Sequence, residues 1–173
     1  MELSYILKLR NALKDDKRHM PLFQNGSAII VVNEKDEILL EERTDRNKWC
    51  VPGGLQELGE TFEEVAIREL KEETNLNANK EDLILINIIS GNSRKNSYPN
   101  GDVVYNNTVL YLLNKYDGKL NSDYEELVDN NDNRFSIKKE SKNLKFFSIG
   151  NLPENLMDKD LIEEYIKYKK KGN

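Results

Sequence analysis

Gly54-Leu-Gln-Glu-Leu-Gly-Glu60-Thr-Phe-Glu-Glu-Val-Ala-Ile-Arg68-Glu69-Leu-Lys-Glu72-Glu73-Thr-Asn75-Leu76 is the stretch that decides the reading of this chain. Thr61 followed three residues later by Glu64 is a capping box. Phe62, Val65, Ala66 and Leu70 form one apolar stripe at helical spacing. Asn75 stands where the helix should stop, because Asn tolerates the left-handed conformation of a helix end. The pattern predicts a helix from Phe62 to Thr74. Glu69, Glu72 and Glu73 then fall at i, i+3 and i+4 on one face, where like charges cost about a few tenths of a kcal/mol per exposed pair. Glu60 lies one turn earlier and can reach the same region. Arg68 sits among the acids, where it can pair with Glu64 or Glu72 or orient a carboxylate. The ordinary alternative is a solvated acidic face.

The residues before the helix favour a cation. Trp49-Cys-Val-Pro-Gly-Gly54 is a short extended piece ended by Pro52 and two glycines. Without side chains, a peptide carbonyl at Gly53 or Gly54 can approach an ion closely. Mg²⁺ takes oxygen ligands while keeping waters and substrate phosphates. One carbonyl and several carboxylates suit it.

Working outward, Leu3, Ile6, Leu7, Arg10 and Leu13 predict an amphipathic helix over about 2–14, followed by a charged stretch from Asp15 to Arg18. His19 reads as a surface or packing residue. Ala28 to Val32 is a β-branched run read as a buried strand. A polar turn, Asn33 to Asp36, joins it to a strand starting at Ile38, as in a hairpin. Strands are expected at Leu83 to Ile89, Val103 to Leu113 and Leu144 to Ile149. Ser90 to Gly101 reads as a loop and Asp117–Gly118 as a turn. Residues 121–143 are polar, with a solvated stretch from Asp129 to Asn133. A terminal helix over about 158–171 turns Leu161, Ile162, Tyr165 and Ile166 inward, and Lys169 to Lys171 suit its negative end. Strands mixed with helices, with no repeat and no linker, predict a single α/β domain over 1–173.

Composition narrows the function. The chain has 173 residues, 26 Lys and Arg against 31 Asp and Glu, and a net charge of −5. Nonspecific nucleic-acid coating needs the opposite sign. A phosphorylated small molecule remains compatible if divalent ions lie between carboxylates and phosphates. No apolar run is long enough to cross a membrane. The start lacks a signal-peptide pattern, so a cytoplasmic location is expected. The single cysteine, Cys50, leaves no internal disulfide and no cysteine-based zinc site. It reads as a small buried apolar residue.

The quoted stretch resembles the Nudix box: Gly, five residues, Glu, seven residues, Arg-Glu, an aliphatic residue, one residue, Glu-Glu, one residue, Gly and an aliphatic residue. Eight of the nine constrained positions agree, and the departure is Asn75 where the family has Gly. That position ends a helix and holds no ligand. The resemblance extends over roughly 22–165, through Trp49 to Gly54, the strands before the box, Lys145-Phe-Phe and Leu152-Pro153. The turn Tyr98-Pro-Asn-Gly-Asp102 is similar to that of MutT-like members from Gram-positive bacteria. The resemblance implies the Nudix fold, an α/β/α sandwich with a mixed sheet, in which the box forms a loop–helix–loop.

It also implies a hydrolase of nucleoside diphosphates linked to another moiety, X, using Mg²⁺ for which Mn²⁺ can substitute. Glu69 and Glu73 become the foremost metal ligands, then Glu72, with the Gly53 or Gly54 carbonyl. Glu60 contacts metal through water or supports the ligands. The general base is a box glutamate or a later carboxylate such as Glu140, whose ordinary alternative is a solvated loop charge. Arg43 is a candidate phosphate contact. Tyr98 and Tyr105 could stack on a base or simply pack. Trp49 reads as a plug beside the box rather than a base platform. The expected partner is a small nucleotide, or at most an RNA 5′ end, and a homodimer is a candidate assembly. A catalytically inactive binding sensor is disfavoured because all three box acids are present.

Overall fold

The computed structural model describes residues 3–13, 19–98, 100–123, 125–129 and 135–172. Helix α1 spans Tyr5–Ala12, followed by strands β1 (Leu22–Val31), β2 (Glu37–Arg43), β3 (Trp49–Cys50) and β4 (Gly53–Leu55). Helix α2 (Phe62–Thr74) precedes β5 (Ile84–Ile89), β6 (Lys95–Ser97) and β7 (Val103–Leu113). Strands β8 (Glu125–Asp129), β9 (Phe135–Lys139) and β10 (Ser141–Ser148) lead to α3 (Lys159–Lys171). The first helix is shorter than expected; residues 2, 14 and the charged stretch 15–18 lie outside the described residues.

Strand β1 organises the molecule. It pairs in parallel with β7, from Leu22↔Val104 to Val31↔Leu113, and antiparallel with β4. Strands β5 and β6 add antiparallel to β7, so the five-stranded sheet is mixed. Ile29, Ile30 and Val31 are all 0% exposed, so both faces of β1 are covered. Ile29 and Val31 pack with Leu39, Ala66 and Leu70, the last two on α2. Ala28 and Ile30 pack with Leu161, Ile162 and Tyr165 on α3. This is the expected α/β/α sandwich, and it explains why β1 reads as an uninterrupted apolar run. Each such side chain contributes about 1.5–3 kcal/mol of burial.

The expected hairpin between β1 and β2 does not extend. The turn forms, with the Asn33 N–H donating to the Glu37 carbonyl at 3.0 Å, but only Val32↔Ile38 bridges. Both edges of β1 are already taken by β4 and β7. Strand β2 instead joins a second sheet in the order β10-β2-β3. The segment expected as a loop before Gly101 contains β6. The polar stretch after 121 contains an antiparallel ribbon, Glu125↔Lys139 to Asp129↔Phe135. Residues 124 and 130–134 of that stretch lie outside the described residues. His19 packs at the surface, its Nδ1 2.8 Å from Asp102 Oδ1.

Candidate active site

Helix α2 is built by short-range chemistry. The Thr61 hydroxyl accepts from the Glu64 N–H at 3.2 Å, and the Glu64 carboxylate accepts from the Thr61 N–H at 2.8 Å. Asn75 takes the left-handed conformation, φ 62° and ψ 11°. Val65, Ala66 and Leu70 face the core, which fixes the rotation of the helix and turns the acids toward β4.

Arg68 gathers the acids. Its guanidinium donates to Glu60 Oε1 at 2.7 Å, Glu69 Oε1 at 2.6 Å and Glu72 Oε2 at 3.2 Å, and to the Leu55 carbonyl at 2.9 Å. The pairing with Glu64 does not form, because Glu64 is committed to the cap. Glu60 also accepts from the Glu57 N–H at 2.8 Å, so it braces Arg68 and the loop. That favours a supporting role over direct metal contact.

The glycines serve the carboxylates directly. The Gly53 N–H donates to Glu73 Oε2 at 2.8 Å. A Cβ on Gly54 would fall 2.0 Å from Glu69 Oε1, so any larger residue there would push that carboxylate from its place. Glu73 is 1% exposed, and its Oε1 is buried with no hydrogen-bond partner.

Glu69, Glu72, Gly53, Gly54, Arg68, Arg43, Glu140 and Tyr98 are among the residues that line a cleft of about 840 Å³, whereas Glu60 and Glu73 lie behind its wall rather than in its lining. A smaller hollow of about 280 Å³ beside Phe23 and Leu58 holds one acid, Glu57, and no arginine. Most of the candidate site residues therefore lie along the larger cleft. Glu140 is buried rather than a solvated loop charge, and its Oε1 accepts from Arg43 at 2.5 Å. Arg43 also donates to Asp45 at 2.9 Å. Tyr98 lies at the cleft with Arg46 5.2 Å over its ring. Tyr105 is not brought to it. On β7 the cleft-lining residues are Val104, Asn106 and Thr108, and strand alternation turns Tyr105 away, against Phe23 at 5.9 Å. Trp49 is a plug, edge-on to Phe147 at 4.9 Å. Cys50 is buried.

Several acids of the cleft escaped the sequence reading, among them Asp45, Glu57, Asp158 and, most deeply buried, Glu41. Glu41 on β2 is 1% exposed and lines the cleft. Cys50 Sγ donates to its Oε1 at 3.1 Å and the Ser141 hydroxyl to its Oε2. The available signal was parity: Glu41 shares a strand face with Leu39 and Arg43.

The electrostatics are unbalanced. Burial raises the Glu69 carboxyl to about 8, against the pull of Arg68. Burial pushes Glu73 well above the carboxylate range, helped by Glu41, Glu140 and Glu69. Glu41 is raised chiefly by burial too. Arg68 instead holds Glu60 below its ordinary value. Among the described residues no three His, Cys, Asp or Glu side chains already converge as a metal cluster; Arg68 occupies the acids. The donor set still fits a hard divalent ion: oxygen only, short of positive charge, and with the Glu73 Oε1 orphan.

Comparison with known proteins identifies the family. The family profile described as NUDIX domain matches residues 22–160. A putative 8-oxo-dGTP diphosphatase of Bacillus subtilis is 46% identical over 57 residues, which cover 33% of this chain and 38% of that protein. An ADP-ribose pyrophosphatase of Methanocaldococcus jannaschii is 27% identical over 161 residues, covering 90% of this chain and 82% of its own. Among solved structures, a MutT NUDIX hydrolase from Burkholderia pseudomallei superposes with a TM-score of 0.58 at 19% identity, covering 85% of this chain and 96% of that one. That last likeness is one of fold.

Proposed function

The chain belongs to the NUDIX family, and from that premise we propose that it is a metal-dependent pyrophosphohydrolase of nucleoside diphosphates linked to another moiety. The observation that carries the reading is the buried Glu73 carboxylate: one oxygen is held by the Gly53 N–H and the other has no partner, beside Glu69 and Glu72. A desolvated acid of this kind is costly unless something positive meets it.

Glu69, Glu72 and Glu73 would hold Mg²⁺, or Mn²⁺ in its place, with the Gly53 or Gly54 carbonyl. When bound, such ions polarise phosphoryl oxygens and bring a water within reach of ionisation at neutral pH. The protein's own groups do the rest. Glu60 and Arg68 keep the acids aligned through the hydrogen bonds described above. Arg43, backed by Glu140, presents a planar guanidinium to a phosphate. The Arg43 ion pair makes Glu140 a positioning group, so a box acid is the better base. The expected setting is the cytoplasm and the partner a small nucleotide.

The test is a panel of nucleoside diphosphate derivatives, 5′-triphosphate RNA included, incubated with Mg²⁺ or Mn²⁺, with products identified by mass. Metal-dependent release of a nucleoside phosphate is expected. Absence of turnover across the panel would remove the proposal.

A further inference from the structure

Helix α1 lies outside the residues that the family profile matches, yet it forms part of the cleft wall. Ile6, Leu7, Lys8 and Arg10 all line the cleft that holds Glu69 and Glu72. Both ends of the helix are tied to the site. Ser4, before its first turn, makes no side-chain cap. The Tyr5 N–H instead donates to both Glu57 oxygens, at 3.0 and 2.9 Å. A carboxylate there also suits the positive end of the helix. Glu57 belongs to the loop that enters α2, and its own N–H holds Glu60, which holds Arg68, which holds Glu69. At the far end Arg10 is 4% exposed and donates to the Met20 carbonyl at 2.7 Å and the Val103 carbonyl at 3.1 Å. Those residues lead into β1 and β7. The helix is thus latched to the two central strands and to the catalytic loop. Ile6 and Leu7 remain only half-buried on the cleft side.

We propose that α1 is the specificity-determining wall of this cleft, with Ile6 and Leu7 packing against the heterocycle of the bound nucleotide while the carboxylates take its phosphate end. This rests on the nucleotide reading above. Aliphatic side chains offer no donor to a phosphate, whereas a heterocycle presents an apolar face of matching size. The acids and the aliphatic wall line the same cleft and divide the ligand between them accordingly.

The experiment uses the full chain with Mg²⁺ and measures binding by calorimetry for guanosine monophosphate, uridine monophosphate and ribose 5-phosphate. Wild type should prefer a nucleoside monophosphate over ribose 5-phosphate by at least about 10-fold, in the range that pocket contacts supply. The Ile6→Ala/Leu7→Ala double variant should lose that preference while its affinity for ribose 5-phosphate stays the same. Leu7→Trp, which fills the cleft without removing apolar surface, should weaken the guanosine ligand more than the uridine one. It also decides the matter if the double variant fails to fold. Equal weakening of all three ligands, or no change in any, would overturn the proposal and leave α1 a structural element. Nucleotide selectivity without hydrolysis by wild type would instead remove the hydrolase reading and keep the wall. Hydrolysis with selectivity untouched by either variant would do the reverse.

Discussion

Replacing Glu69 by Gln should make the metal-free protein more stable while disabling it. The Glu69 carboxyl is raised from an ordinary 4.5 to about 8 by burial. A group raised on folding favours the folded state fully below its unfolded pKa, and that contribution drains away as pH climbs through the folded one. Between those two values wild type therefore loses about 1.4 kcal/mol per pH unit relative to a side chain that cannot ionise. At pH 7 the accumulated difference is about 3 kcal/mol, worth about 6–12 °C in Tm for a chain of this size. Arg68 keeps Glu60 and Glu72 in the variant, so loss of one partner offsets little of this. The assay is a thermal melt in EDTA from pH 5 to 9. Glu69→Gln should match wild type near pH 5 and gain steadily above it. Added Mn²⁺ should raise the Tm of wild type far more than that of the variant, because metal binding requires the ionised acid. Turnover should drop by more than about 100-fold, the upper end of what losing an outer-shell partner costs. A variant less stable than wild type in EDTA, with no pH dependence in the difference, would refute the reasoning.

Other perturbations probe neighbouring parts. Glu73→Gln should nearly abolish metal-dependent turnover while the circular dichroism spectrum stays native; a wild-type rate would show that Glu73 is not a ligand. Gly54→Ala places a Cβ 2.0 Å from Glu69 Oε1 and should impair Mn²⁺ binding in a calorimetric titration, with the fold retained. Thr61→Ala removes the cap of α2 and should cost about 1 kcal/mol in urea denaturation, with an unchanged slope.

What could be read in advance followed the range of the interactions. Helix α2 was legible to its ends because the Thr61–Glu64 box, the apolar stripe and the left-handed Asn75 are all local signals. The grouping of Glu69, Glu72 and Glu73 followed from helical spacing. The long strand β7 was legible from its β-branched and aromatic run. Strand β2 was misjudged as the partner of β1, since nothing local reveals that β7 and β4 already occupy both edges. The β8–β9 ribbon hid in a segment dominated by Asp, Asn, Glu and Lys, whose composition reads as loop. Tyr105 and Glu41 show the same gap from opposite sides. Parity fixes which residues share a strand face, but only the assembled sheet shows which face meets the cleft. Arg68 likewise chose Glu60 over Glu64 because the loop before α2 folds back, a contact across eight residues.

Box carboxylates that accept a divalent cation are the basis of the proposed activity, and crystals soaked in Mn²⁺ test this most directly by anomalous scattering. The expected map holds a manganese peak bonded to Glu73 and Glu69, with Arg68 still bound to Glu60. A map with no peak at these acids, and Glu69 still resting on Arg68 at saturating Mn²⁺, would contradict it.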